Sequence, residues 1–360
     1  MNIIITSDIH CGFPGKLKDC LWSLHAIREY ANKNNISTIL ILGDLFHDRV
    51  NLNIEVKDSV YKFLNETKHE YKQEWLCFPG NHDMFLKNSW NINSIHSLKD
   101  VLTIIENVDL IEIFNKRFWI IPFIYYENVY MSILDKIKDD VKDNDILLTH
   151  IGINNAIMNE CFLVKNWSVV NFSSTNFSRI YAGHFHCYQT VDNVTYPGSP
   201  IPFRFDEGMV DHGFIVYNTD DNTDKFINIS ETNYDKNNIP SDYISIIDED
   251  VNNKKDLTNC NVRITLTSDK TQKELQDIKN SIMDMGAKSV TWIKKRDKID
   301  VNSINKIKDV DIKKPTTIFE SWLNKDNPNE LSKELLLQLN DQIVCEVEEQ
   351  MLTEDDYEEE

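Results

Sequence analysis

Seven side chains able to bind a divalent cation, Asp8, His10, Asp44, Asn81, His150, His184 and His186, stand in five short stretches of this chain. The stretches are Ser7-Asp8-Ile9-His10-Cys11-Gly12, Gly43-Asp44-Leu45-Phe46-His47-Asp48, Gly80-Asn81-His82-Asp83, Thr149-His150 and Gly183-His184-Phe185-His186. Carboxylate, carboxamide and imidazole donors together favour manganese, iron or zinc over magnesium alone. Two such ions about 3.5–4 Å apart clamp a phosphoryl group and activate water at neutral pH, with one carboxylate bridging them. Asp-x-His and His-x-His, taken as extended backbone, would direct both side chains of each pair to the same side. Singly, each piece has a plainer explanation. His184-x-His186 could be a strand with one packed histidine, and Asn81-His82 after Gly80 could be a turn. The five in order carry the signal that none carries alone.

Each stretch follows an apolar run that reads as a strand: Ile3–Thr6, Thr38–Leu42, Trp75–Pro79, Ile146–Leu148 and Arg179–Ala182. Ligands placed just past strand ends converge at one sheet edge, where open α/β sheets form their ligand crevices. Between the first three runs, apolar residues at helical spacing predict helices over Lys16–Asn34 and Leu52–Asn65. Residues 1–83 therefore read β-α-β-α-β, a mainly parallel sheet with crossover helices. Short strands over Leu102–Ile105, Leu110–Phe114 and Phe118–Phe123, and a helix near Val129–Val141, lead into a half that reads as more antiparallel. The fold class expected is α/β, with two packed mixed β-sheets flanked by helices, a small α/β cap domain and C-terminal helices.

The polar stretch Asp220–Pro240 marks a boundary. Phosphoesterase-type chemistry is placed in 1–235. A smaller α/β unit occupies 236–295, with strands Tyr243–Ile247, Asn261–Leu266 and Ser289–Ile293 and a helix over Thr271–Met285. A charged linker spans 296–314, helices 315–348 and an acidic tail 349–360. The apolar stripe Leu335, Leu336, Leu339, Ile343, Val344 has too little chain around it to bury itself, so it should pack on the body or on a partner.

The motifs Asp8-x-His10, Gly43-Asp44-x-x-His47, Gly80-Asn81-His82-Asp83, His150 and Gly183-His184-x-His186 resemble the signature of calcineurin-like metallophosphoesterases. More narrowly, Asp-Ile-His-Cys-Gly, Gly-Asp-Leu-Phe-His, Gly-His-Phe-His-Cys-Tyr-Gln and Tyr196-Pro197-Gly198-Ser199-Pro200-Ile201 resemble SbcD-type DNA-repair nucleases and their phage recombination-endonuclease relatives. The resemblance is specific to about residue 220 and looser beyond. It implies Asp8, His10 and His186 on one metal, Asn81, His150 and His184 on the other, and Asp44 bridging. His82 would stabilise the transition state or protonate the leaving 3′ oxygen, and His47 would handle substrate or the DNA strand. Two divalent ions, manganese first among them, would serve double-strand exonuclease and single-strand endonuclease activity in recombination and repair. The cap would recognise DNA. An SbcC-type coiled-coil ATPase would bind through Thr316–Cys345, with the chain a homodimer in a 2:2 complex. A phage origin would place it in the host cytoplasm.

Bulk properties bound these expectations. The net charge is −20, and residues 346–360 alone carry nine carboxylates and no Lys or Arg, leaving −11 for the rest. That disfavours unaided nucleic-acid binding but not binding assisted by metal ions, which invert the local field. Phe203-Arg204-Phe205 could contact a strand, though core packing with one exposed arginine is the plainer reading. The seven cysteines are scattered with no Cys-x-x-Cys pair, as in a reducing cytosol. No apolar run is long enough to span a membrane, and none reads as a signal peptide. His25, His69 and His96 read as surface or core histidines, and His212 matches no motif. Two other functions compete: a small-substrate phosphodiesterase or phosphatase on the same ligands, and a scaffold that has lost its metals. The cap and terminal helices argue against the first, and the complete ligand set with His82 against the second.

Overall fold

The computed structural model describes residues 1–294 except 87–88, 160–161, 164–169, 171, 173–174, 209 and 254–255. The linker, terminal helices and tail expected over 296–360 lie outside the described residues.

The strand runs fold as the alternation of their side chains demands. In Asn2–Thr6, Ile3 and Ile5 face one apolar layer and Ile4 another. In Thr38–Ile41, Leu40 joins Ile3 and Ile5, while Ile39 and Ile41 join Ile4. Strands apolar on both faces must be covered on both. Two six-stranded mixed sheets satisfy this. The first runs, in spatial order, Thr223–Asn228, Gly213–Asn218, Asn2–Thr6, Thr38–Ile41, Glu74–Cys77 and Thr103–Ile104. The second runs Gln189–Val191, Val194–Tyr196, Arg179–Gly183, Ile146–His150, Lys116–Ile121 and Asp109–Ile113. A shared apolar layer including Ile3, Ile5, Leu40, Phe118, Ile146, Leu148, Tyr181 and Tyr217 lies between them.

Helices close the outer faces. Leu17–Lys33 buries Cys20, Leu24, Ile27 and Ala31 against the first sheet, with Val56, Val60, Phe63 and Leu64 of Ile54–Glu66 in the same layer. Asn53 caps the second helix by accepting the Glu55 amide at 2.8 Å, and a π-turn, Thr67–Tyr71, extends it beyond the expected end. Glu127–Ile137 covers the second sheet through Tyr130 and Leu134.

The half expected to be more antiparallel divides instead. Ile146–His150 pairs parallel with both Arg179–Gly183 and Lys116–Ile121. Gly213–Asn218 leaves that sheet and pairs antiparallel with Asn2–Thr6 at the centre of the first. The apolar pattern shows that these strands are buried but not which sheet each joins.

Beyond it, Asp242–Ile247, Cys260–Leu266 and Ser289–Lys294 form a parallel three-stranded sheet. Helix Gln272–Asp284, started by a Thr271–Glu274 capping box, packs on it over a core including Ile246, Val262, Ile264 and Ile282. Tyr243 meets Phe205 edge to face at 4.8 Å. Among the described residues no helix is long and apolar enough to cross a membrane.

Candidate metal centre

Where Asn2–Thr6 and Thr38–Ile41 end, their parallel pairing continues into the loops. The amides of Asp8, His10 and Cys11 donate to the carbonyls of Gly43, Asp44 and Leu45 at 3.2, 3.0 and 2.9 Å, and the His47 amide donates back to Cys11 at 3.1 Å. Asp8, His10 and Asp44 are thereby held side by side. All three are left-handed, with φ of 53°, 47° and 53°, and His184 has φ 116°. Such conformations persist in non-glycine residues only where surroundings over-determine them, typically at functional sites. They also correct the extended-backbone expectation: Asp8-x-His10 and His184-x-His186 lie past their strands, and the loop turns, not strand alternation, aim the side chains.

Gly43 and Gly80 permit the close approach of two of these loops. A Cβ on Gly43, itself at φ 89°, would stand 2.7 Å from the Gly80 Cα and 2.6 Å from His150 Nδ1. One on Gly80 would collide with the Asp44 carboxylate.

The structure brings all seven candidate ligands together. Asp8, His10, Asp44 and His150 form a buried floor, and Asn81, His82, His184, His186 and His47 a half-buried rim. Donor atoms of Asp8, His10 and His186 lie within 4.8 Å of one another, as do those of Asp8, Asp44 and His150. Asp44 Oδ2 is 3.8 Å from His10 Nε2 and 3.3 Å from His150 Nε2, between the two groups. Asn81 Oδ1 is 3.0 Å from His150 Nε2 and 2.9 Å from His184 Nδ1. The His184 amide donates to both oxygens of Asp8 at 3.2 and 3.1 Å.

The hydrogen-bond partners of the histidines bear on whether this set fits cations. His150 Nδ1 faces the Leu42 carbonyl at 2.8 Å, which can only accept, while Nε2 faces Asp44 and Asn81 oxygens. A neutral imidazole has one N–H for these two sides, so Nε2 needs a second proton or a cation. His186 differs, with Nδ1 2.8 Å from a Glu207 carboxylate oxygen, which fixes a proton there, and Nε2 3.0 Å from His10 Nε2, where its lone pair can face a cation or a His10 N–H. Burial opposes charge on both rings, but Asp44 raises His150 and Glu207 raises His186 to about 9 each. Burial, reinforced by His150, drops His184 to about 3. Burial resists ionisation of Asp44 too, yet His150 and His82 hold it well below the carboxylate range. The centre is built to hold positive charge next to neutral imidazole. The donor set fits divalent ions.

His82 and His47 lie beside the floor. His82 Nδ1 is 2.7 Å from the His47 carbonyl, which fixes its proton there. The His82 ring stacks on His47 at 5.2 Å and meets His10 edge to face at 4.8 Å. His47 Nδ1 approaches His10 Nδ1 to 3.3 Å, and the Phe13 ring is centred 4.7 Å from the His47 ring. Burial, and then His82, lowers His47 to about 4. Phe203 is buried against His10 and His186, as core packing required. His25 packs on Phe63 and Tyr234, and His96 bonds Glu106.

Sequence reasoning gave no role to Asp83, Glu207 or His212. Buried Asp83 accepts the amides of Gly80, Leu45 and Phe46 at 3.0, 3.3 and 3.0 Å, clasping the loops that carry Asn81 and Asp44. Burial, then Asp44, pushes its carboxyl up to about 7. Its place in Gly-Asn-His-Asp was the only signal. Asp83→Ala leaves three buried amides without acceptors, and the metal-free chain should lose about 3 kcal/mol, since each orphaned group costs roughly 1–3 kcal/mol and such costs add incompletely. Urea unfolding measures this, and a loss below about 1 kcal/mol would show that water replaces the clasp. Glu207 and His212 follow no motif spacing.

A family model for calcineurin-like phosphoesterases matches residues 1–188, more than half of the chain. Exonuclease subunit 1 of Enterobacteria phage T4 is 23% identical over 335 residues, spanning 88% of this chain and 90% of that protein. Among solved structures, GAP50, the anchor in the inner membrane complex of Plasmodium, aligns with a TM-score of 0.41 and 12% identity over 63% of this chain and 88% of that one. The matched residues 1–188 contain all five ligand-bearing stretches, and the chain belongs to the calcineurin-like phosphoesterase family, whose hydrolases use divalent metal ions.

Proposed function

We propose that this chain is a two-metal DNA nuclease, cutting duplex ends as an exonuclease and single strands as an endonuclease, with manganese its preferred ion. The observation that carries the reading is the meeting of Asp8, His10, Asp44, Asn81, His150, His184 and His186 from five separate strand ends in one centre. Asp8, His10 and His186 would hold one ion, Asn81, His150 and His184 the other, with Asp44 between them. Bound ions would neutralise phosphoryl oxygens and supply a hydroxide nucleophile near pH 7. The residues then divide the remaining work. The rim side, bordered by His82, His47 and His184, admits the phosphodiester. The hydroxide oxygen bonds to phosphorus, the P–O3′ bond breaks, and the 3′ oxygen takes the Nε2 proton of a doubly protonated His82, whose Nδ1 proton stays on the His47 carbonyl. The products are a 5′-phosphate and a 3′-hydroxyl. His47 buttresses His82 and borders the strand's path.

A DNA substrate is supported by similarity to a phage protein named an exonuclease subunit over most of both chains. That word also supports a partner. We place an SbcC-type ATPase on Thr316–Cys345, the chain being a dimer in a 2:2 assembly for recombination and repair in the host cytoplasm. The sheet from 242 to 294 would act as the DNA-recognising cap. Arg204 lies over Phe13 and Arg263 over Phe205, at 5.9 and 4.2 Å, giving cation–aromatic steps for a strand on an otherwise acidic protein.

Manganese-dependent degradation of linear duplex DNA by the purified chain tests the reading, alone and with the ATPase. Cleavage of a nitrophenyl phosphodiester with DNA untouched under both conditions would instead make it a small-substrate enzyme. Metal uptake has its own signature. Manganese at a hundred times its dissociation constant should stabilise the fold by about 2.7 kcal/mol per site. A melting temperature unchanged by manganese and by chelator would support a metal-free scaffold.

A further inference from the structure

Glu207 is the described residue whose position is hardest to explain without the centre. Its carboxylate is 5% exposed, in a loop with no motif spacing, 21 positions after His186. One oxygen lies 2.8 Å from His186 Nδ1, and the other accepts the Phe203 amide at 2.7 Å. The loop itself is pinned. His212, also buried, places Nε2 2.9 Å from the Glu207 carbonyl and Nδ1 3.0 Å from the Ser199 carbonyl. The Ser199 amide donates to the His186 carbonyl at 3.0 Å. Ring and backbone of His186 are therefore held by one segment, 199–212, and Phe203 packs against the ring at 5.6 Å.

We propose that Glu207 is a positioning residue that fixes the proton of His186 on Nδ1 and so presents the Nε2 lone pair, beside His10 and Asp8, to a divalent ion. A carboxylate can only accept here, so the Nδ1 proton is bound to it, and the imidazole ligates through the remaining nitrogen. Such outer carboxylates set the tautomer, the orientation and the basicity of a ligand histidine. Both oxygens of Glu207 are used, one on the ring and one on Phe203. The uncharged isostere glutamine has a single acceptor oxygen for those two donors and cannot satisfy both. This role rests on the metal reading of the centre.

The test compares the full-length chain with Glu207→Gln by manganese titration calorimetry, and by nitrogen-15 histidine NMR of the zinc-loaded proteins. The variant should keep its far-UV circular dichroism. One of its two manganese-binding steps should weaken about 10- to 100-fold while the other holds. The His186 Nδ1 proton signal should broaden or shift. A folded variant with both binding steps and the His186 signal unchanged would overturn the role of Glu207 while leaving the metal centre standing. A variant that loses stability with an unaltered His186 tautomer would reduce Glu207 to a prop for Phe203 and also overturn it. A wild-type chain taking up no manganese would remove the metal reading and this role with it.

Discussion

His82→Ala should lower duplex DNA cleavage by about 10²–10⁴-fold, the range spanned by general acid–base catalysis, while manganese uptake stays at the wild-type level. The separation follows from geometry. His82 meets Asp44 through its backbone, the amide donating to Asp44 Oδ1 at 2.8 Å, and alanine retains that bond. Its ring stacks on His47 and anchors Nδ1 on the His47 carbonyl, so Nε2 is the atom that exchanges protons with substrate. A general acid matters in proportion to how poor the leaving group is. A 3′ alkoxide departs badly without a proton, whereas nitrophenolate departs readily. The nitrophenyl phosphodiester should therefore lose far less than DNA in the same variant. Equal losses on both substrates would assign His82 to orienting the phosphoryl group. Loss of manganese along with activity would assign it to holding the centre together.

The same neighbourhood shows what was legible in the chain and what was not. Ile3–Thr6 and Thr38–Leu42 announce buried strands because β-branched and apolar residues fill both faces, and a ligand directly after each marks a shared edge. Periodicity placed the helix over Leu17–Lys33 to within a residue of each end. What it does not encode is long-range choice. Nothing local tells Gly213–Asn218 to cross into the first sheet, because the pairing with Asn2–Thr6 is set by which apolar layer remains open. The loop geometry is hidden for a related reason. Asp8, His10 and Asp44 adopt left-handed backbone because two loops hydrogen-bond in parallel, and no intrinsic preference of His or Asp compels it. Supporting residues are hardest to see. Asp83, Glu207 and His212 act through backbone amides or another side chain, so their spacing carries no chemical signature. The ligands show in the sequence because metal chemistry restricts residue type, and their supports do not because many residues can accept a hydrogen bond.

Asp44→Asn should cut DNA cleavage by roughly 10³-fold, the loss of about 4 kcal/mol of charge stabilisation in the transition state, and remove at least half of the stability that manganese adds. Asparagine matches the carboxylate in shape, and its Oδ1 can still accept the His82 amide, so the fold should survive. What disappears is negative charge between the His10 and His150 sides, 3.8 and 3.3 Å from their Nε2 atoms. Asp8 cannot substitute for it. Its two oxygens already take the His184 amide, and burial pushes its carboxyl up. Nor can Asp83, whose oxygens are committed to the loop amides. Calorimetry should therefore show fewer than two manganese ions bound, and the manganese-induced rise in melting temperature should shrink by at least half. Full activity with two ions bound would remove Asp44 from the bridge and leave the two halves of the centre acting as separate sites. Lost cleavage with both ions retained would instead show that the charge of Asp44 acts on the transition state and not on the retention of the ions.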